Sequence, residues 1–168
     1  VLLGDAVIPV TLDAADPVVT SGRMSRGHRL QQPLKEVKSA EDLLAQLSEA
    51  GVMVIREQRA ESIRAAIALE SERCGGQADC PEALFQELVD LVESPAVLQG
   101  RIEDRFLELP PEVIVTVMQA HQRYVPLRHP QAAADPLQLQ SRNVLKPEFL
   151  LVGNGLESAS DTIVSGNQ

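Results

Sequence analysis

Tryptophan is absent, tyrosine occurs once and phenylalanine three times in 168 residues. A platform that stacks the bases of single-stranded nucleic acid needs several exposed rings, so this composition argues against one. No apolar run approaches the roughly 20 residues that a membrane helix needs, and no membrane partner is expected. No basic segment leads into an apolar one near the start, so no secretory signal is visible. Cysteine is scarce: Cys74 and Cys80 flank Gly75-Gly76 without a nearby His. A structural zinc site needs about four such ligands, so the pair reads as reduced thiols of a cytoplasmic protein. A disulfide across that turn would need Cα atoms within about 7 Å. Gly-rich phosphate loops, a Gly-x-Ser-x-Gly elbow and a His-Glu-x-x-His pair are all missing. His28, His121 and His129 are widely separated, and none pairs with a nearby cysteine.

What is present is the composition of a folded domain. Apolar residues make up 44% and charged residues 23%, enough to bury one core. The formal charge is −9, which argues against a purely electrostatic partner such as DNA, although a sum can hide a local patch. Charge is unevenly placed. Residues 1–38 carry five Lys/Arg against four Asp/Glu, residues 39–112 six against sixteen, and residues 113–168 four against four. The chain opens Val1-Leu2-Leu3 without Met and closes Gly166-Asn167-Gln168. It reads as a single domain, 1–168, cut from a longer protein, with an acidic helical segment at 39–94 inside it.

The first part reads as β. Gly4-Asp5 between apolar stretches predicts a hairpin over residues 3–10, and Val18-Val19-Thr20 is a second short strand. The middle reads as three helices. Ser39 with Asp42 resembles a capping box, and Leu43, Leu44 and Leu47 form an apolar face that Gly51 ends. Val52 to Ile55 is a short strand or a helix lead-in. A longer helix is expected from about Arg56 to Arg73, with Ala60, Ile63, Ile67 and Cys74 on one stripe. Asp79 or Cys80 then caps a third helix with Pro81 in first position. Its buried face is Leu84, Phe85, Leu88, Val89 and Leu91. Farther on, Pro95–Leu98 and Phe106–Leu109 are β candidates, and Pro110-Pro111-Glu112 opens a helix. Arg123–Leu127 and Phe149–Val152 read as paired strands around a long Pro/Gln/Ala-rich loop, 129–147. A short helix is expected near 157–163.

Two clusters stand out. Arg23, Arg26 and Arg29 recur every three residues around Gly27 and His28, with Lys35 and Lys38 following. The guanidinium fork suits phosphate oxygens, and Gly27 allows close backbone approach. The arginines can equally pair with the domain's own surplus of carboxylates. The second cluster, Gln119 to Tyr124 with Gln122, Arg123 and Tyr124 at its end, lies at a helix-to-strand junction where ligands are often met. It can equally be a polar helix end before a strand with a half-buried Tyr.

Four stretches occur here in one order: Leu2–Pro9, Arg26-Gly27-His28-Arg29, Pro110–Tyr124 and Val164–Gln168. Together they resemble the β subunit of the bacterial heterotetrameric glycyl-tRNA synthetase, nearly end to end. The resemblance implies an α+β fold with a mixed, mostly antiparallel sheet and about five helices. It also implies kinship to the editing-type module of the phenylalanyl-tRNA synthetase β subunit, with an HD-type domain following residue 168. It implies a cytoplasmic partner of the α subunit and of glycine tRNA, with ATP and Mg held by the α subunit and no cofactor or metal in these residues. The 129–147 loop is longer than the family's, Tyr124-Val125 stands where a second aromatic is common, and Gln168 replaces a usual Glu.

The resemblance implies a non-catalytic part of a ligase that attaches glycine to its tRNA with ATP, inactive by itself. Arg23, Arg26, His28, Arg29, Gln122, Arg123 and Tyr124 are then candidate RNA contacts, and such contacts weaken steeply with salt. The alternative is a scaffold joining catalytic and tRNA-binding parts. An editing-like hydrolytic pocket is a third reading. Glycine is the smallest amino acid, so larger ones can be excluded sterically and a second sieve is little needed.

Overall fold

Gly4 takes a positive φ of 57°, which lets the chain reverse between β1 (Leu2–Leu3) and β2 (Ala6–Val7). That is the hairpin the Gly-Asp pair foretells. The protein is described here by a computed structural model covering residues 1–28, 35–130 and 144–155. It separates into two compact units, Val1–Val54 and Ile55–Gln168. The boundary falls inside the acidic segment, where the sequence gives no composition change.

The first unit is built from two-residue ladders. β3 (Thr11–Leu12) pairs with β4 (Val19–Thr20), and β5 (Met24–Ser25) with β6 (Lys35–Glu36). Helix α1 (Ala40–Glu49) follows, and the Ser39 hydroxyl accepts the Asp42 amide at 3.2 Å as the capping pattern requires. Few side chains of this unit are deeply buried; Val37 and His28 are the described ones.

The second unit holds the main core. Helix α2 (Arg56–Arg73) spans the expected residues and ends where Gly75 takes φ 58°. β7 (Gln77–Ala78), helix α3 (Glu82–Leu91), β8 (Pro95–Arg101), helix α4 (Pro111–Val117), β9 (Tyr124–Arg128) and β10 (Leu145–Asn154) complete it. The sheet runs β7-β9-β10-β8 and every described pairing is antiparallel, so the mixed character expected is absent among the described residues. Register places Leu150 opposite Val125 and Gln99. Strand side chains alternate faces. Val125, Leu127 and Leu150 therefore meet Ile63, Ile67 and Leu88 of the two helices in one cluster. Each fully buried aliphatic side chain there contributes about 1.5–3 kcal/mol.

Several expectations are corrected. Phe106–Leu109 is not a strand; a 3-10 turn occupies Asp104–Glu108. Val52 to Ile55 is not a strand but the lead-in to α2, with Ile55 at the helix's N-cap position. Helix α3 begins one residue late, with Pro81 at its cap and no capping side chain. Leu91 is 61% exposed rather than buried, because it lies to one side of the stripe of Leu84, Phe85, Leu88 and Val89 that packs in the core. Four α-helices occur among the described residues. The helix expected near 157–163 lies outside the described residues, as do Arg29, Val164–Gln168 and residues 131–143 of the long loop.

Candidate functional site

In the first unit Arg23 and His28 of the basic run are turned inward. Arg23 donates through Nη1 to the carbonyls of Lys38 at 2.7 Å and Val37 at 3.3 Å, and through Nη2 to the Asp5 carbonyl. One guanidinium thus ties the β1–β2 turn to the strand before α1. Gly27 explains the next step. A Cβ there would lie 2.0 Å from the Ala50 side chain, so only glycine lets this backbone meet the end of α1. The His28 amide then donates to the Ala50 carbonyl at 2.9 Å, filling one of the acceptors that a helix end leaves open. His28 is 1% exposed, so its ring packs within the fold and is not offered to a phosphate. Arg26 is exposed, and Lys35 pairs with Glu49 at 3.7 Å. The cleft beside Arg26 and Gly27 holds about 10 Å³, room for a single water and no nucleotide.

The second cluster lies in the second unit. Helix α4 runs on into one π turn, Met118–Gln122, an irregularity often found at functional sites. Arg123 closes it with φ 58°, a left-handed conformation uncommon for a non-glycine residue. Its guanidinium reaches back to the Ala120 carbonyl and pairs with Glu87. The Gln119 side chain donates to the Asp79 carbonyl at 2.8 Å, and the Asp79 carboxylate is held by Arg128, with Nε at 2.7 Å. Asp79 therefore anchors β9 instead of capping α3.

The turn delivers Tyr124 to the start of β9. Its ring stacks on Phe149 of β10 at 4.7 Å between centroids and 19° between planes. Gly100 of β8 makes room: a Cβ there would lie 2.3 Å from the Phe149 ring. Burial pushes the Tyr124 hydroxyl pKa above its ordinary value. This aromatic pair floors a groove of about 790 Å³, walled by the 3-10 turn, α4 and the π turn. Gln122 sits on its rim. That volume lies within the usual range for ligand sites.

Structure thus brings Gln122 and Tyr124 to one groove and turns Arg123 toward Glu87. Arg23, Arg26 and His28 belong to the other unit. Gly100, Phe149, Val113 and Val117 also line the groove and were not singled out as site residues. Gly100 lies beyond the expected Pro95–Leu98 strand; β8 runs on to Arg101 and so brings Gly100 against Phe149. The cysteines are quiet: burial raises both thiols, Cys80 to about 11. Among the described residues no three His, Cys, Asp or Glu cluster as a metal site, and no helix is long and apolar enough to cross a membrane.

Comparison with known proteins gives the family. The family model described as glycyl-tRNA synthetase beta subunit matches residues 1–168. A glycine–tRNA ligase beta subunit of Picosynechococcus sp. is 39% identical over 167 residues, covering 99% of this chain and 22% of the relative. That of Acaryochloris marina is 38% identical over 168 residues, with 99% and 22% covered. That of Streptococcus pyogenes serotype M12 is 34% identical over 168, with 100% and 22%. The chain therefore spans about 22% of the length of these relatives. Matched from end to end, the chain belongs to the glycyl-tRNA synthetase beta subunit family.

Proposed function

We propose that the chain is a non-catalytic module of a glycine–tRNA ligase, supporting ATP-dependent attachment of glycine to its tRNA by holding other parts of the enzyme in position. On this reading its partners are the α subunit, in a heterotetramer, and glycine tRNA, in the cytoplasm. ATP and Mg act at the α subunit. The observation that carries the reading is the internal commitment of three of the candidate RNA contacts. Arg23 is spent on three backbone carbonyls, His28 is buried, and Arg123 is tied to Glu87. Kinship to the editing-type module of phenylalanyl-tRNA synthetase is kept as a statement about fold. Among the described residues that line the groove there is no Ser, Thr, Cys or His, and the carboxylate present, Glu103, is paired with Arg105.

A second reading, direct tRNA contact, is favoured by the exposure of Arg26. The full α and β subunits carrying Arg26→Ala separate the two. Glycine-dependent pyrophosphate exchange is compared with tRNA charging at two salt concentrations. Positioning without contact predicts both activities within about twofold of wild type. Intact exchange with charging reduced tenfold or more, most at low salt, establishes tRNA contact and overturns the scaffold reading.

A further inference from the structure

The groove of the second unit gathers four exposed apolar side chains. Phe106 and Leu109 are each 44% exposed, Val113 48% and Val117 44%, and all four face the same groove. Single exposed apolar residues are ordinary, but a contiguous set marks a surface that something covers. From this geometry we infer that an uncharged apolar segment from elsewhere in the same β subunit seats in the groove.

Charge selects the kind of occupant. Arg101 and Glu103 are the charged residues in the lining. Arg101 is paired with Asp104 at 3.3 Å and Glu148 at 3.6 Å, and Glu103 with Arg105 at 2.8 Å. A phosphate backbone needs uncommitted cations, and this groove offers none. Its walls, Val113 and Val117 one helical turn apart above the Tyr124–Phe149 floor, instead suit the side chains of an apolar helix or strand.

Length selects the source. The chain spans about 22% of relatives such as that of Picosynechococcus sp., so most of such a subunit lies outside it. A segment on the same chain meets the groove at an effective concentration on the order of millimolar, which favours it over a separate molecule. A second copy would have to bury about 800 Å² on each side, more than one groove supplies. The inference rests on family membership and on the length covered. It is independent of whether the module touches tRNA.

The test uses the full β subunit with Val117→Cys or, separately, Val113→Cys. Both positions are exposed here, so the changes are mild. Reaction with a thiol reagent is followed on the tryptic peptide 106–123, which holds no native cysteine. In the β subunit alone, the introduced thiol is expected to react at least tenfold more slowly than in the denatured subunit. A benzophenone side chain at rim position 109 is expected to cross-link to β-subunit peptides outside residues 1–168. Four results overturn the inference: rapid reaction in β alone with protection only after the α subunit is added; protection only with tRNA; protection lost on dilution to monomer; or cross-links confined to residues 1–168. Pyrophosphate exchange and charging are not the readout, so a failed positioning role leaves this test intact.

Discussion

A methyl group on Gly27 would fall 2.0 Å from the Ala50 side chain and 2.7 Å from its carbonyl oxygen. The oxygen is backbone, so shortening Ala50 would not relieve the clash. Gly27→Ala is expected to lower stability by about 1–3 kcal/mol, as overpacking does, seen as a lower urea midpoint. An unchanged midpoint would show that the close approach is not required. The sequence marks Gly27 as a place where backbone comes near something. What it comes near is the chain's own helix end. His28 was illegible for a related reason: a histidine between arginines has the pattern of an exposed polar run, and its meeting with Ala50 exists only in the fold. Arg23 likewise has the spacing of a phosphate contact, but the carbonyls of residues 5, 37 and 38 converge on it only once the chain is folded.

At the scale of elements, α2 was readable because Ala60, Ile63 and Ile67 recur at helical spacing in a run of strong helix formers that Gly75-Gly76 stops. Phe106–Leu109 was not, since four residues show no period and the neighbouring Pro110-Pro111 pins only the helix that follows. The π turn leaves no trace in sequence. Helices α2 and α3 are joined at their ends by Arg56, whose Nε and Nη2 reach the Asp90 carboxylate at 2.7 and 3.0 Å. The hydrogen bond from Arg56 holds the Asp90 pKa below the ordinary carboxylate value. Its contribution is therefore present above the unfolded carboxylate pKa, about 3.9, and is lost as pH falls through the folded value. Asp90→Asn should be less stable than wild type at neutral pH, with a gap that closes as the solution is acidified. Denaturation curves across that range check this, and a gap constant to low pH would refute it. The pair is exposed, so the effect is small.

At the scale of the whole molecule, the two units differ in kind. One is made of two-residue ladders with little buried; the other has a four-stranded sheet between helices and a groove. Short isolated ladders are marginal by themselves. The slowest amide hydrogen exchange is expected in α2, β9 and β10, and fast exchange in β1 to β6. Equal protection in both would contradict this division. The overall β-helix-β order was legible from turn residues and periodicity. The groove was not, because its walls come from residues 100–151 and no local pattern joins Gly100 to Phe149. The chain has one tyrosine and no tryptophan, and that tyrosine is stacked on the groove floor. Its ultraviolet emission therefore comes from a single ring at a single place. In these 168 residues alone the groove lacks the occupant inferred above, so a change in this emission on adding a segment from the rest of the subunit reads its seating without any label.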